Sequence, residues 1–455
     1  MRLNWKNTAL ILAITAAPAW AQTSPFYGSV PQGEATAQPL ALSAKETVTR
    51  ALQYNLGLIL QQEGARSATG ARGVALADLR PQFTGSLGER RQVLNLEAFG
   101  FPAPDPIVGP FNVFDVRVGV SQPLLDLRAW HAAKAASFEE KAATLGIKSA
   151  RELVVLLSMD LYLEAIAAES RIEVVRAQQE TAAQLLKQAQ DLKASGLVAG
   201  IDVVRAEVQV QNQRQRRIQA DNNFEKAKLK LARAIGLPPG QVFTLTDKIP
   251  YAPLDGVTLD KALADAYAQR ADYLAARERL SAAEASQQAT AAQLLPSLRL
   301  DADYGTIGQE AGNAHPTYTL AATVRVPIFE GGRTQAKKIE ADAVARQRRA
   351  EYDDLRGRID MDVRTAMLDL NAATQQLEAV QTTVALANQE LAQARDRLAA
   401  GVSGNLEVVQ AQETVATAAD HYIEALYGHN VAKATLARAV GGAEVGVMNF
   451  LGGAR

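Results

Sequence analysis

The chain has no cysteine among its 455 residues. This excludes disulfide staples, thiolate metal sites and a lipid carried on an N-terminal cysteine, so any hold on a membrane must come from the folded chain. Aromatic residues are scarce at 5%, whereas alanine fills the helical stretches. Such a composition suits long, closely packed helices better than a compact globule. No segment approaches the ~20 uncharged apolar residues of a spanning helix, so entry into a membrane would have to be without helices. The formal net charge of −1 gives no reason to expect nucleic acid as a partner. Histidines stand only at 131, 315, 421 and 429, the closest pair eight residues apart with no nearby ligand set. A nucleophile elbow, a phosphate-cradling loop and an acid–base carboxylate pair are all missing, and Gly331-Gly332 lacks the rest of a phosphate motif. No catalysis, cofactor or metal is expected.

At the start, Arg2 and Lys6 precede an apolar run from Ala9 to Ala17, and Ala19-Trp20-Ala21 has the small-x-small pattern of a cleavage site. Residues 1–21 therefore read as an export signal. Removing them takes away two positive charges and moves the net charge from −1 to −3.

The rest of the chain is one supersecondary unit written twice, at 42–236 and 259–441. Leu231-Ala232-Arg233-Ala234-Ile235-Gly236 returns as Leu436-Ala437-Arg438-Ala439-Val440-Gly441 at an offset of 205. Ala194-Ser195-Gly196 and Asp202-Val203-Val204-Arg205-Ala206 match Ala399-Ala400-Gly401 and Glu407-Val408-Val409-Gln410-Ala411 at the same offset. Agreement over such a span indicates duplication.

Residues 128–194 and 333–400 contain no proline and few glycines. Either would be ~100 Å long as a continuous helix. Leu377, Val380, Val384, Ala387, Leu391, Ala394 and Leu398 step alternately by three and four, the period of a supercoiled seam. The first copy repeats it with polar interruptions at Gln179 and Lys193. Each long pattern stops at a glycine, Gly196 or Gly401, and a short connection turns the next helix back antiparallel. Heptads alone also describe any rod-like coiled coil, so a soluble exported scaffold stays open at this point.

Between the helices the period switches to two. Residues 111–122 put Phe114, Val116, Val118 and Val120 opposite Asp115, Arg117, Gly119 and Ser121; residues 298–304 set Leu298, Leu300, Ala302 and Tyr304 against Arg299, Asp301 and Asp303. Residues 318–326 alternate likewise, with Arg325 on the polar side, and a weaker pattern at 82–90 has Phe83 and Leu87. Alternation predicts strands with one dry and one wet face. They group as two hairpins with glycine- and proline-rich loops, the first loop about ten residues longer by the shift in offset from 215 at Pro81 and Pro296 to 205 at the helical tips. A half-buried sheet of a soluble protein has the same alternation. Four strands are too few for a barrel, because roughly eight are needed for closure. If they cross a membrane, several chains must share them.

Taken in order, these residues resemble the TolC-type outer-membrane efflux channel (outer membrane factor) family. The likeness rests on Ala51-Leu52-Gln53-Tyr54-Asn55 and its partner Ala266-Tyr267-Ala268-Gln269-Arg270, on Pro81 and Pro296, on Gln122-Pro123-Leu124-Leu125-Asp126 and Val326-Pro327-Ile328-Phe329-Glu330-Gly331-Gly332-Arg333, and on the two hairpin tips. It covers nearly all of the chain beyond the export signal. The resemblance implies a mainly α fold with a small β part. In it, duplicated antiparallel helical hairpins form a periplasmic α-barrel, and four strands per chain join a β-barrel shared by a homotrimer in outer-membrane lipid. It implies passive passage of drugs, metal ions or polypeptides, as in multidrug efflux and type I secretion, with an inner-membrane pump supplying energy through a periplasmic adaptor (membrane fusion) protein.

The family pattern places acidic side chains at the periplasmic tips, where they ring the pore. The matching positions are Glu407 and, in the first repeat, Asp202; a second acid expected three residues after Glu407 is replaced by Gln410. An acid in the first turn of a helix is also stabilised by the helix dipole, which accounts for its presence without a gate. Gly196 and Gly401 become turn and adaptor-docking candidates, and Asp115, Arg117, Arg299, Asp301, Asp303 and Arg325 become barrel-lumen candidates. Phe99, Phe101, Phe111 and Tyr304 are expected near strand ends, where an aromatic girdle would sit. The expected organisation is thus an export signal (1–21), an N-terminal extension (22–41), the first repeat (42–236, with its β-hairpin at 81–123 and helical hairpin at 128–236), an equatorial linker (237–258), the second repeat (259–441, with its β-hairpin at 296–327 and helical hairpin at 333–441) and a tail (442–455). The alternative function is a soluble periplasmic coiled-coil scaffold or adaptor protein.

Overall fold

The computed structural model describes residues 24–102, 104–248, 251–254 and 256–450; the expected export signal lies outside them. Two long helices dominate: α3 (Leu127–Ala194) and α7 (Arg333–Ala399), of 68 and 67 residues. Each is turned back by a partner, α4 (Gly200–Ala234) or α8 (Asn405–Ala439). Both turns are built alike. Gly196 and Gly401 take φ values of +75° and +72°, and the next amides reach back, Leu197 N to Leu192 O at 2.9 Å and Val402 N to Arg397 O at 3.0 Å. This closure needs a left-handed residue, which glycine adopts without a Cβ clash. The supercoiled seam is there too: Leu377, Ala387 and Ala394 are buried, with Leu391 and Leu398 packed against the tip cluster of Leu185, Val408 and Ala411. In the first copy Lys193 is exposed, so its seam ends one step earlier.

The leading helix of each repeat is broken in two, which the periodicity did not reveal. α1 (Ala44–Tyr54) and α2 (Leu56–Ala77) meet at Asn55; α5 (Leu259–Gln269) and α6 (Ala271–Ala291) meet at Arg270. Both residues are extended, with ψ of 126° and 115°. Asn55 stabilises its break by accepting from Leu58 N at 3.2 Å and donating to Phe26 O at 2.6 Å. Arg270 uses charge instead, reaching Asp272 at 2.8 Å and Asp362 of α7 at 3.0 Å. Against each break rests the glycine that follows the returning helix of the same repeat, Gly236 after α4 and Gly441 after α8. A Cβ on Gly236 would fall 2.6 Å from Tyr54 Cβ, and one on Gly441 2.7 Å from Arg270 N. The duplication therefore preserves a backbone approach that only glycine permits.

The sheet has the strand order β2 (Gln82–Asn95), β3 (Ile107–Leu125), β5 (Ser297–Gly308), β6 (His315–Arg325), all antiparallel, so the two hairpins join through β3 and β5. β2 and β6 each have a neighbour on one side only. The strands run further than the alternation suggested. The extra residues of the first hairpin lengthen β2 and β3 to 14 and 19 residues, against 12 and 11 for β5 and β6, while the loops span 96–106 and 309–314. The expected ten-residue difference in loop length is therefore shared between loop and strands. A second, two-stranded parallel sheet was not foreseen: β1 (Leu40–Leu42) pairs with β4 (Phe243–Leu245), tying the N-terminal extension to the inter-repeat segment.

The main core lies where α1, α3, α4 and these short strands meet, around Leu42, Val155, Met159, Leu231 and Phe243. A second core joins α5, α7 and α8 around Ile359, Val363 and Leu436. The segment after β4 is pinned from both sides. The buried Tyr162 hydroxyl donates to Leu42 O at 3.0 Å or Asp247 Oδ2 at 2.8 Å, and the buried Lys433 ammonium donates to Ala252 O at 2.7 Å. Burial pulls Lys433 down to about 8. Beside it, burial foremost and then the Lys433 charge lower the His429 imidazole.

Two predictions follow from these packing facts. Gly441→Ala lowers the unfolding midpoint of the detergent-extracted protein by more than Gly401→Ala does: about 2 kcal/mol or more where a Cβ meets Arg270, against about 1 kcal/mol for the left-handed conformation alone. Equal losses would remove the close approach as the cause. Glu152 is 7% exposed, and burial raises its carboxyl from 4.5 to about 7 despite the nearby Lys148, Arg438 and Arg270. The folded chain thus holds a proton that the unfolded chain releases, and stability falls as pH rises from 4.5 through about 7. Glu152→Gln stabilises by about 1–3 kcal/mol at pH 8 and has little effect at pH 4; a gain of the same size at both pH values would refute this.

Candidate functional site

In antiparallel pairs, residues directly opposite one another share a face. The register Asp115↔Ile307, Arg117↔Gly305, Gly119↔Asp303, Ser121↔Asp301 and Pro123↔Arg299, continued by Arg299↔Thr323 and Ser297↔Arg325, puts Asp115, Arg117, Arg299, Asp301, Asp303 and Arg325 on one face. The opposite face carries Phe83, Leu87, Val118, Tyr304, Tyr318 and Leu320, all more than 60% exposed. That exposure has no place in a soluble half-buried sheet, whose apolar face would be covered. Tyr304 sits in the middle of β5 opposite Tyr318 and Val118, not near a strand end as expected. Phe99 and Phe101 do lie at the hairpin loop, 67% and 65% exposed.

The centre of the polar face is a network across three strands. Arg117 lies 2.8 Å from Asp115 and 2.5 Å from Asp303, and its remaining amine donates to Thr317 Oγ1 at 3.2 Å. Ser121 donates to Asp301 at 2.6 Å. Gly305, opposite Arg117, makes room for it, since a Cβ there would fall 2.6 Å from Arg117 Cγ and 2.2 Å from Val116 O. Sequence alternation identified the charges but not this glycine, whose need arises only from the register.

At the tips, Asp202 and Glu407 occupy the first turns of α4 and α8 without a side-chain cap. Asp202 pairs within its own helix with Arg205 at 3.3 Å. Glu407 instead reaches across the hairpin to Arg397 of α7 at 3.2 Å, a partner that the sequence pattern did not bring forward. Gln410 is exposed one turn on. The tips also leave Leu197, Ile201, Val402 and Leu406 exposed, at 72%, 53%, 68% and 48%. Among the described residues no cluster of His, Asp and Glu is arranged for a metal ion, and no helix is long and apolar enough to cross a membrane.

A sheet with an exposed apolar face, joined to helices of about 100 Å, is also the arrangement of known proteins. The family model of the outer membrane efflux protein matches residues 48–237 and 262–442. The chain belongs to that family. Its relatives include the pyoverdine export outer membrane protein OpmQ of Pseudomonas aeruginosa, 25% identical over 83% of this chain and 80% of that one. Another is the outer membrane protein TolC of Vibrio cholerae, 22% identical over 72% and 77%. The fold matches the crystal structure of the Campylobacter jejuni CmeC outer membrane channel with a TM-score of 0.77 at 17% identity, covering 97% of this chain and 94% of that one. The protein is accordingly an outer-membrane efflux channel component with a large periplasmic helical portion. The alternative of a soluble scaffold, left open by the helices alone, is set aside by this membership. The family is one of transport channels.

Proposed function

We propose that the channel assembles as a homotrimer in which three sheets close into one β-barrel, its polar faces turned to a water-filled lumen and its apolar faces to outer-membrane lipid. The observation that carries this reading is the pair of free edges, β2 and β6. An unclosed sheet in hydrocarbon leaves backbone groups unpaired at several kcal/mol each, and four strands fall short of the roughly eight needed for closure. The helices support the same assembly. α7 exposes Met361, Leu368 and Leu386 along its length, and α4 exposes Ile218 and Leu229, apolar surface that neighbouring copies would cover.

In this reading Asp115, Arg117, Arg299, Asp301, Asp303 and Arg325 line the barrel, and Glu407 and Asp202 narrow the periplasmic entrance, with Gln410 in place of a second acidic ring. Three carboxylates about an axis repel one another and attract cations; pairing with Arg397 moderates that charge. The exposed apolar residues beside Gly196 and Gly401 dock a periplasmic adaptor, which joins the channel to an inner-membrane pump. Passage is passive, and no catalytic step is assigned to this chain.

Light scattering on the detergent-extracted, size-fractionated protein is expected to give three copies; a water-soluble monomer would overturn the assembly. In planar bilayers, Glu407→Ala raises conductance or weakens block by divalent cations, and Arg397→Ala, which exposes the carboxylates, strengthens that block. If neither substitution changes conductance or block, the tip acids have no part in the entrance.

A further inference from the structure

The rim where the sheet meets the helices carries a surface that neither the polar face nor the tips use. β2 and β5 begin there and β3 and β6 end there, so all four strand–helix junctions share one level. Ile328 and Phe329, between β6 and α7, are 95% and 88% exposed, the highest values for large apolar side chains among the described residues. They follow the end of β6, whose apolar face presents Leu320 and Val324 at 69% and 63% exposed. The junction after β3 presents Leu124 and Trp130, 56% and 51% exposed.

Cations adjoin this apolar rim. Arg128 and Lys134 stand in the first turns of α3, and Arg333, Lys337 and Lys338 in those of α7, all exposed. The nearby acids are partly engaged: Asp126 caps α3 and also pairs with Arg128 at 3.4 Å, and Glu330 accepts from Thr334. Lys134 Nζ lies 5.6 Å from the Trp130 ring centre, and Arg333 and Lys338 have no ion pair among the described residues. Apolar side chains bordered by lysine and arginine match a lipid interface, where the side chains enter the acyl region and the cations reach the headgroups. A second copy of the chain would bury the apolar residues without needing the excess of positive charge.

We propose that this rim seats the channel in the phospholipid leaflet facing the periplasm, with Ile328 and Phe329 in the acyl region and the basic collar on anionic phospholipid headgroups. The proposal rests on the reading of the sheet as membrane-spanning.

The chain supplies its own probe. Trp5 and Trp20 lie within residues 1–21, so Trp130 is the sole tryptophan once that leader is removed. Protein purified from outer membranes is reconstituted in phosphatidylglycerol or phosphatidylcholine vesicles with bromines placed near the headgroup or near the chain end, and conductance is recorded on the same preparation. Trp130 emission is expected to be quenched more by the shallow bromines, and more by brominated phosphatidylglycerol than by brominated phosphatidylcholine. Arg128→Gln and Lys134→Gln then erode that lipid preference by roughly fivefold per cation while conductance persists. Phe329→Trp in a Trp130→Phe background is expected to report the second junction in the same way. Normal conductance without quenching by any brominated lipid overturns the proposal, because protein then covers the rim. Equal quenching by both headgroups, unchanged by the two substitutions, overturns the anionic-lipid assignment. Loss of both conductance and quenching in the unsubstituted protein overturns the membrane-spanning reading and this proposal with it.

Discussion

Hydrocarbon offers no partner to a peptide N–H or C=O, and this sets the terms for the whole molecule. Among the described residues no helix is long and apolar enough to cross a membrane, and a sheet that crosses must end on itself or on another copy. The four strands here do neither within one chain, since β2 and β6 each bond on one side only. Their length, two-faced chemistry and position at one end of long helices are all intelligible as parts of a structure completed by other copies. The periplasmic portion faces no such demand, because helices satisfy their own backbone groups along most of their length.

Much of this was legible in the chain. The long helices appear within a residue or two of the limits set by proline-free heptads, because the 3.5-residue spacing and the terminating glycines are local signals that packing reinforces. The six charged residues of the polar face were legible through strict alternation, since a pleated strand fixes the side on which each residue lies. The breaks at Asn55 and Arg270 were not. They depend on tertiary partners, Phe26 in one case and Asp362 in the other, and helical periodicity passes through a one-residue break almost undisturbed. Nor were β1 and β4 legible: each has three residues, too few to show a period, and they pair across some two hundred positions. The contact between Glu407 and Arg397 was hidden for a similar reason, because it depends on how the turn folds one helix onto the other.

Conserved architecture between the repeats coexists with divergent chemistry. Gly236 and Gly441 make equivalent approaches, one to Tyr54 and the other to Arg270, yet the first break is held by an amide and the second by an ion triad. In that triad the Arg270 guanidinium keeps the Asp272 carboxyl below the usual range, even though burial, the largest influence, acts in the opposite direction. The first repeat also buries far more of its long helix: α3 packs on α2, α4, α6 and α8, whereas α7 leaves apolar residues bare. The halves therefore share a backbone plan but place different demands on their surroundings.

The clamp at Arg270 has a mechanical consequence. From Asp362, where it grips α7, to the end of that helix at Ala399 is about 55 Å of uninterrupted rod. A tilt of about 5° at the clamp would carry the far end through roughly 5 Å, a full helical turn's height. A small change of angle around one guanidinium would thus be geared up at the hairpin tip, a rod's length from its fulcrum.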